Sequence, residues 1–385
     1  MMIPIRLVSW YSTPLPGLFL VVCLLGLSVT ASAQEYHIIT FDVPGAGNIA
    51  SSSGLCASYY FTGCYGTTPM ANNSAGEIVG MYITNDGVYY GFLRYPDGKV
   101  TKLSEPNADT TPGDLNGTYP FSLNSWGAVT GVYQKTDEVF HGFIREPDDC
   151  YIEVDDPNAG TAAFQGTFAT NINDNGEVAG FYIDSGNNYH GFIRSARGEF
   201  TTVDDPNANA GTYIALEQGL NNRGAVVGWY NVGSVPYGFV REPNGKFITI
   251  EPFASSPFTL VGGINCAGTV AGYFGNASGS VSGFLQKPDG QTTFFNVSGP
   301  RGALGTAAFT LNSADEVTGI SVDANGADHG FVGFPNGDTK TFDAPNAGTG
   351  NFQGTRPTTI NDSGQVVGWV LDSNNVAHGF IFCPK

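Results

Sequence analysis

Charge is scarce in this sequence of 385 residues, and positive charge scarcest of all. Charged residues make up 13%, with 16 Lys and Arg against 34 Asp and Glu, a net charge of −18. Such a field repels nucleic acid and anionic membrane surfaces, which excludes both as partners. Signatures of enzymes and metal sites are also missing. The sequence has no G-x-S-x-G elbow, no H-E-x-x-H helix and no Walker loop. No C-x-x-C or Cys/His pair has zinc-ligand spacing, and no two acids make a convincing glycosidase pair. Long apolar runs are missing too. The run from Gly17 to Leu27 is too short to span a bilayer comfortably.

That run belongs to a targeting segment. Arg6 is the only charge in the first 33 residues, and Ala31-Ser32-Ala33 is a small-x-small cleavage site. Residues 1–33 therefore read as a signal peptide cleaved near Ala33-Gln34, which places the mature chain outside the cell or in the envelope. Cys23 is not in a lipoprotein box, so no lipid anchor is expected. The mature chain keeps 15 Lys and Arg against 34 acids, net −19. Five cysteines remain. Cys56 and Cys64 sit eight apart in an irregular insert, and a disulfide between them is expected. Cys150, Cys266 and Cys383 fall in different repeats, and their pairing stays open.

What is abundant is glycine, at 53 residues, with 27 Phe and 18 Tyr. That mixture reads as short strands and tight turns. A unit of about 48 residues recurs. An N-x-x-G turn feeding an apolar strand starts at Asn73, Asn124, Asn173, Asn221, Asn265, Asn312 and Asn361, in steps of 51, 49, 48, 44, 47 and 49 residues; Asp315 replaces the Gly in the sixth copy. An x-G-F tripeptide follows each turn, from Tyr90-Gly91-Phe92 to His378-Gly379-Phe380. An F-x-x-x-D-x-P strand end, clean at Phe200 to Pro206, closes the unit. Each unit holds four strands: a runs into the N-x-x-G turn, b is the E-V-V-G-type run, c carries x-G-F, and d follows a P-D-G or P-N-G hairpin. Strand b is apolar on both faces, so it must be covered on both sides.

The chain ends after a strand c, at Phe380-Ile381-Phe382-Cys383-Pro384-Lys385. It begins, after the signal, with an orphan strand d, Ile38 to Pro44. Together they make one unit. A ring gains closure from such an arrangement, whereas an open solenoid would want capping repeats. The expected fold is all-β: a seven-bladed β-propeller of four-stranded blades over residues 34–385. The N-terminal strand closes the ring in the last blade, and an irregular insert covers 45–70. A β-solenoid or split sandwich is the alternative.

The recurring I-N-D-x-G-x-V-V-G and H-x-F elements resemble the HAF-type probable extracellular repeat of secreted bacterial proteins, over residues 36–385. One departure is consistent: the tripeptide's middle residue is Gly in all seven copies, where the family name implies Ala. The resemblance implies an extracellular propeller-like protein and carries no catalytic residues.

Candidate sites are few. His141, His190, His329 and His378 share one repeat position on strand c, where packing is favoured over metal ligation because copies in separate blades are spread around the ring. The Asn and Asp of the turns are read as local turn chemistry. No cofactor is expected. Calcium is the one candidate, at the acidic loops Asp184–Asn188 and Asp323–Asp328, with solvated turns the favoured reading. Glu217 lies on an expected inner strand and is not repeated, so it is placed at the channel as a lone acid. With strand a innermost, the d-to-a and b-to-c loops share one face, and binding is expected there. The candidate residues are Tyr59, Tyr60, Phe61, Tyr65 and Tyr119, either presented for stacking on sugars or protein, or burying themselves over the seam. The expected function is a monomeric, non-enzymatic binding propeller for a glycan or a surface protein. The alternatives are a polysaccharide-active hydrolase or lyase at the channel mouth, and a structural envelope component.

Overall fold

A computed structural model describes residues 37–50, 64–112, 116–253, 256–276 and 279–383. The expected signal peptide, Cys56, Tyr59, Tyr60 and Phe61 lie outside the described residues. The described residues fall within one compact unit, Tyr36–Lys385. They form strands and turns, with a short 3-10 turn at Pro300–Gly302. No helix among them is long and apolar enough to cross a membrane.

The described residues open with β1 (His37–Phe41). Four-stranded antiparallel meanders follow: β2 (Gly66–Asn72), β3 (Ile78–Ile83), β4 (Tyr89–Arg94) and β5 (Val100–Leu103); then β6 (Thr118–Leu123), β7 (Val129–Gln134), β8 (Phe140–Arg145) and β9 (Tyr151–Val154). Next come β10 (Gly166–Ile172), β11 (Val178–Ile183), β12 (Tyr189–Arg194) and β13 (Phe200–Val203), then β14 (Thr212–Ile214), β15 (Val226–Val232), β16 (Val235–Arg241) and β17 (Phe247–Ile250). After them are β18 (Thr259–Ile264), β19 (Val270–Gly275), β20 (Val281–Gln286) and β21 (Thr292–Phe295), then β22 (Gly305–Leu311), β23 (Val317–Val322), β24 (Asp328–Gly333) and β25 (Thr339–Phe342). The last stretch is β26 (Gly354–Ile360), β27 (Val366–Leu371) and β28 (Ala377–Cys383). Among the described residues no fourth strand follows it. β1 pairs antiparallel with β28 instead, Thr40 opposite Phe380 and Phe41 opposite Gly379.

Single parallel bridges join successive meanders at Gly66–Ala377, Tyr89–Gly117, Phe140–Gly166, Val281–Gly305 and Asp328–Gly354. β12 and β14 pack side by side without a ladder, as do β16 and β18, so the hydrogen-bonded path is interrupted there.

Burial falls from the first strand of a meander to the last. β2, β6, β10 and β26 are buried almost throughout, whereas β5, β9 and β13 bury only their final residue. The x-G-F phenylalanines, Phe92, Phe143, Phe192, Phe239, Phe284, Phe331 and Phe380, are all fully buried. Their glycine is needed because the neighbouring strands press on it. A Cβ on Gly91 would lie 2.4 Å from Pro120 of β6, and one on Gly379 would lie 2.7 Å from the Phe41 ring of β1. At these two positions even alanine does not fit unless its neighbours shift.

A second repeated element was not read from the sequence. Most inner strands open with Gly-Thr. The glycine takes a positive φ, +120° at Gly66 and +121° at Gly166, where its α-carbon rides against the carbonyl of the preceding meander's third strand. The threonine hydroxyl accepts the N–H that ends the previous outer strand: Val43 to Thr67 at 2.9 Å, Asp156 to Thr167 at 2.9 Å, Ala344 to Thr355 at 2.9 Å.

The turn asparagines do more than local turn chemistry. Each Oδ1 accepts two N–H groups of its own turn, as at Asn221 from Arg223 and Ala225, both 3.0 Å. Each Nδ2 then donates to the backbone carbonyl of the corresponding asparagine in the next unit. The bonds run Asn73 to Asn124 (3.2 Å), Asn124 to Asn173 (3.2 Å), Asn173 to Asn221 (3.0 Å) and Asn221 to Asn265 (3.0 Å). They continue Asn265 to Asn312 (3.1 Å), Asn312 to Asn361 (3.2 Å) and Asn361 to Asn73 (2.9 Å). Aspartate or serine caps such a turn as well as asparagine; only asparagine also carries an amide donor for the neighbour.

Tyr119 does not sit on an open loop. It is in β6, fully buried against Tyr89 with ring centroids 4.7 Å apart, and burial pushes its hydroxyl pKa up. The preceding loop is shorter than the sequence suggested, because Gly117-Thr118 already begins the inner strand. Tyr65 is half-buried against the cluster around Met70 and Met81, and its carbonyl accepts from Ala377 at 2.9 Å. Cys64 is buried and disulfide-bonded to a cysteine outside the described residues, whereas Cys150, Cys266 and Cys383 are free thiols.

Candidate functional site

The d-to-a loops touch the b-to-c turns along one face. Gly160 donates to Ile183 at 2.8 Å, and Gln165 Nε2 to Asn187 Oδ1 at 2.9 Å. On this face the strand-c histidines meet the strand-d aspartates fourteen residues on. His141 Nδ1 lies 2.7 Å from Asp155, His190 Nδ1 2.8 Å from Asp204, and His329 Nδ1 2.6 Å from Asp343. His378 Nδ1 lies 2.9 Å from Asp42, across the β1–β28 pairing. Where Ser282 replaces the histidine, Asn296 replaces the aspartate, at 2.8 Å. Both partners were visible as separate repeat markers; their constant spacing of fourteen was the signal that pairs them.

Packing sits beneath these pairs. His141 stacks on Tyr133 at 5.4 Å and His190 on Tyr182 at 4.9 Å. Burial lowers the His190 pKa, but the Asp204 and Asp184 carboxylates outweigh it and raise the value overall. The acidic loop is a closed turn. Asp184 Oδ1 accepts from Gly186 and Asn188, both at 2.8 Å, and the Asn188 backbone bond leads in holding its pKa near 2. Asp323 accepts in the same way from Asn325 at 2.8 Å and Ala327 at 2.9 Å. Ligand-type atoms of His141, Glu153 and Asp155 converge to within 4.8 Å of one another. Glu153 is already held by the Tyr133 hydroxyl at 2.5 Å and Lys135 at 2.9 Å, so the triad is a closed ion-pair network.

Between Asn187-Asn188 and the loop from Asp204 to Gly211 lies a cavity of about 310 Å³, walled by Tyr189, His190, Asp205 and Asn209. Asp205 is buried; Oδ1 accepts from Asn207 at 2.9 Å, and Oδ2 has no partner among the described residues. Tyr189 begins a chain of rings, 4.9 Å from Tyr213, which stacks on Trp229 at 5.4 Å; Phe181 lies 6.0 Å from Tyr189. All four rings are half-buried.

The inner strands surround a further cavity of about 200 Å³, lined by the turn asparagines, Asp174, Asp362 and Glu217. Glu217 is not on a regular strand. β14 stops at Ile214, and residues 215–220 cross toward the other inner strands. Gln218 accepts at its carbonyl from Ile264 (3.1 Å) and at its side chain from Leu311 (3.1 Å), while Asn171 accepts from Gly219 (2.7 Å). Glu217 is half-buried, part of its surface meeting the lumen, and desolvation by the protein around it pushes its pKa up to about 7. A larger cavity, about 580 Å³, lies on the opposite face between Ile248, Ile250 and the turns at Asn244 and Gly268.

No family model matches the chain, and no curated protein sequence matches it. Solved structures do resemble it in fold. A virginiamycin B lyase from Staphylococcus aureus is 13% identical with a TM-score of 0.54, covering 90% of this chain and 99% of that one. A streptogramin B lyase gives 13% and 0.54 over 90% and 98%. The β-propeller domain of the trilobed protease from Pyrococcus furiosus, reported to have an open velcro topology, gives 7% and 0.52 over 83% and 96%. At these identities the likeness concerns architecture alone: the chain has an all-β, β-propeller fold.

Proposed function

We propose that this chain is a secreted, closed, seven-bladed propeller of the HAF-repeat type that binds glycans on its loop face and has no catalytic role. Three features support closure at one seam: the β1–β28 ladder, the Asn361-to-Asn73 bond that returns the asparagine series to its start, and the His378–Asp42 pair. Removal of residues 1–33, a Cys56–Cys64 disulfide and a monomeric state belong to the same reading.

The observation that carries the binding role is the cavity beside Tyr189. It combines an aromatic wall with exposed amide and carboxylate groups from Asn188, Asn209 and Asp204 on a rigid frame. An aromatic face packs against sugar C–H surface, and the polar groups around it match hydroxyls. The insert bearing Tyr59, Tyr60 and Phe61 joins the same face in this reading. The rival is a hydrolase or lyase at the channel mouth, an activity of the kind named for two of the structural neighbours. Glu217, protonated near neutrality, favours it. But the other acids of that cavity are engaged as turn acceptors, Asp174 by Ser125 at 2.8 Å and Asp362 by Ser313 at 2.9 Å.

A glycan-array screen of the purified protein, with and without calcium, tests the reading. Binding is expected in both conditions and is expected to weaken about tenfold in Tyr189→Leu, the loss of one good stacking contact. An array empty under both conditions, or binding indifferent to Tyr189→Leu, refutes it.

A further inference from the structure

Each inner strand meets the third strand of the preceding meander at one repeated pair of positions. Aromatic rings fill that junction at Tyr89 with Tyr119 (4.7 Å), Phe140 with Phe168 (4.7 Å) and Tyr189 with Tyr213 (4.9 Å). At the β24–β26 junction the pair is Asp328 with Arg356, joined at 2.5 Å, both side chains buried. At the β20–β22 junction it is Val281 with Ala307, two small residues. No ring or ion pair of the described residues fills that junction, and a cavity of about 230 Å³ lies beside it.

That cavity has a distinct lining. Tyr273 and Phe309, rings 6.1 Å apart and edge-on, form one side; Ile320 and Val322 form another; Leu304, half-exposed, stands at the rim. Glu217 is its one charged group. No side chain among the described residues ion-pairs with that carboxylate, whose own backbone N–H is its hydrogen-bond partner. The volume exceeds the roughly 150 Å³ that suffices for benzene in an engineered cavity.

We infer that this junction is a binding site for a small organic cation, a protonated amine on an aromatic or apolar body. Its ring packs against the wall that Tyr273 and Phe309 form together, and its N–H donors meet the Glu217 carboxylate. A lone carboxyl enclosed by protein is costly to ionise, and an ammonium group removes that cost. The aromatic walls add cation–π attraction, and the net charge of −18 draws cations to the molecule. Anions and neutral isosteres gain neither. The site is separate from the polar cavity beside Tyr189, so either can fail without the other.

Among the described residues, the titratable groups sharing Glu217's two cavities are Tyr273, Asp174 and Asp362, and no Lys, Arg or His lines either. Glu217 alone therefore sets the pH response. Its pKa near 7 makes the site ready to ionise, and affinity rises from pH 6 to pH 8.

Ligand-observed NMR and calorimetry with benzylammonium, benzyl alcohol and benzoate on the purified protein test the inference. Benzylammonium is expected to bind at least about tenfold more tightly than either analogue, the worth of a charge-assisted hydrogen bond. Glu217→Gln is expected to erase that preference while leaving weak binding of benzyl alcohol. Ala307→Phe, which restores the ring found at Phe168, is expected to abolish all three, with an unchanged far-UV spectrum showing that it folds. Absence of benzylammonium binding at millimolar concentration overturns the inference. So does binding that survives Glu217→Gln with its preference intact.

Discussion

The asparagine series makes a sharp prediction at Asn221. Its side chain is buried and makes three bonds: two accepted from Arg223 and Ala225 and one donated to Asn265. Asn221→Asp keeps both acceptors and replaces the donor by an anionic oxygen facing a carbonyl. The net worth of the lost bond is about 1 kcal/mol, and leaving a buried acceptor unpaired adds about 1–3 kcal/mol. The variant is therefore expected to lose about 2–4 kcal/mol at pH 7.5. Protonation returns a donor, because a neutral carboxyl offers an O–H to the Asn265 carbonyl. The new group's folded pKa is thus raised above the ordinary aspartate value of about 3.9. With the folded pKa raised, stability falls as pH climbs from that value through the folded pKa. Urea melts of the variant and the parent at pH 7.5 and 3.5 give the two differences. The deficit should shrink to below about 1 kcal/mol at pH 3.5, with exposed Asn325→Asp showing no such change. A deficit equal at both pH values, or below about 0.5 kcal/mol at pH 7.5, would refute the claim that the amide donor joins neighbouring units.

Other expectations follow from the seam, the buried ion pair and the channel acid. Asp42 raises the His378 pKa by hydrogen bonding, so that pair's stabilisation is complete below about pH 6.5 and disappears as pH rises through the folded value. Both groups are partly exposed, so the thermal shift should be small, about 0.5 kcal/mol, and absent in His378→Gln. Arg356→Met alone should cost about 3–5 kcal/mol by stranding Asp328, whereas the double variant Asp328→Tyr/Arg356→Phe, matching the other junctions, should recover most of it in denaturant melts. Glu217 is the opposite case to a salt-bridged acid. With its folded pKa near 7 against about 4.5 unfolded, it contributes nothing below pH 4 and destabilises progressively up to pH 7. Glu217→Gln should therefore stabilise by about 1–3 kcal/mol at pH 8.5 and by nothing at pH 4, the lower figure allowing for solvent in the lumen. Calorimetric melts at the two pH values check it.

Much of the fold was legible because its constraints repeat. Val79 and Met81, on one face of β3, and Ile78 and Tyr82, on the other, are all buried, as an apolar run without alternation requires. The orphan segment at Ile38 and the strand ending near Phe382 read as two parts of one unit in the sequence, and β1 does lie antiparallel on β28. Tyr119 was misplaced for a related reason. Its loop looked long because the Gly-Thr start of the inner strand had gone unrecognised. Glycine with a positive φ reads as turn in a sequence, yet here it marks a close strand-to-strand approach, 2.0 Å from a would-be Cβ at Gly66 to the Ala377 carbonyl.

The sites were harder, and the reason is physical. Function on a repeat scaffold sits where one copy departs from the others. A departure toward a larger or charged residue, such as Glu217, stands out in a sequence; a departure toward nothing does not. Val281 and Ala307 are unremarkable apolar residues in apolar strands. They acquire meaning once the Val281–Gly305 bridge shows that they occupy the places held elsewhere by Tyr189 and Tyr213 or by Asp328 and Arg356. The same holds for the wall of the polar cavity. Tyr189 precedes a repeat histidine, where the other copies carry Tyr89, Phe140, Pro236, Val281, Asp328 and Ala377, a position so variable that no rule selects it. The repeated frame explains how that variability is tolerated. The asparagine bonds, the threonine anchors and the buried x-G-F rings fix the strands independently of this position. The junction residues are then free to become ring, ion pair or void without loss of the fold.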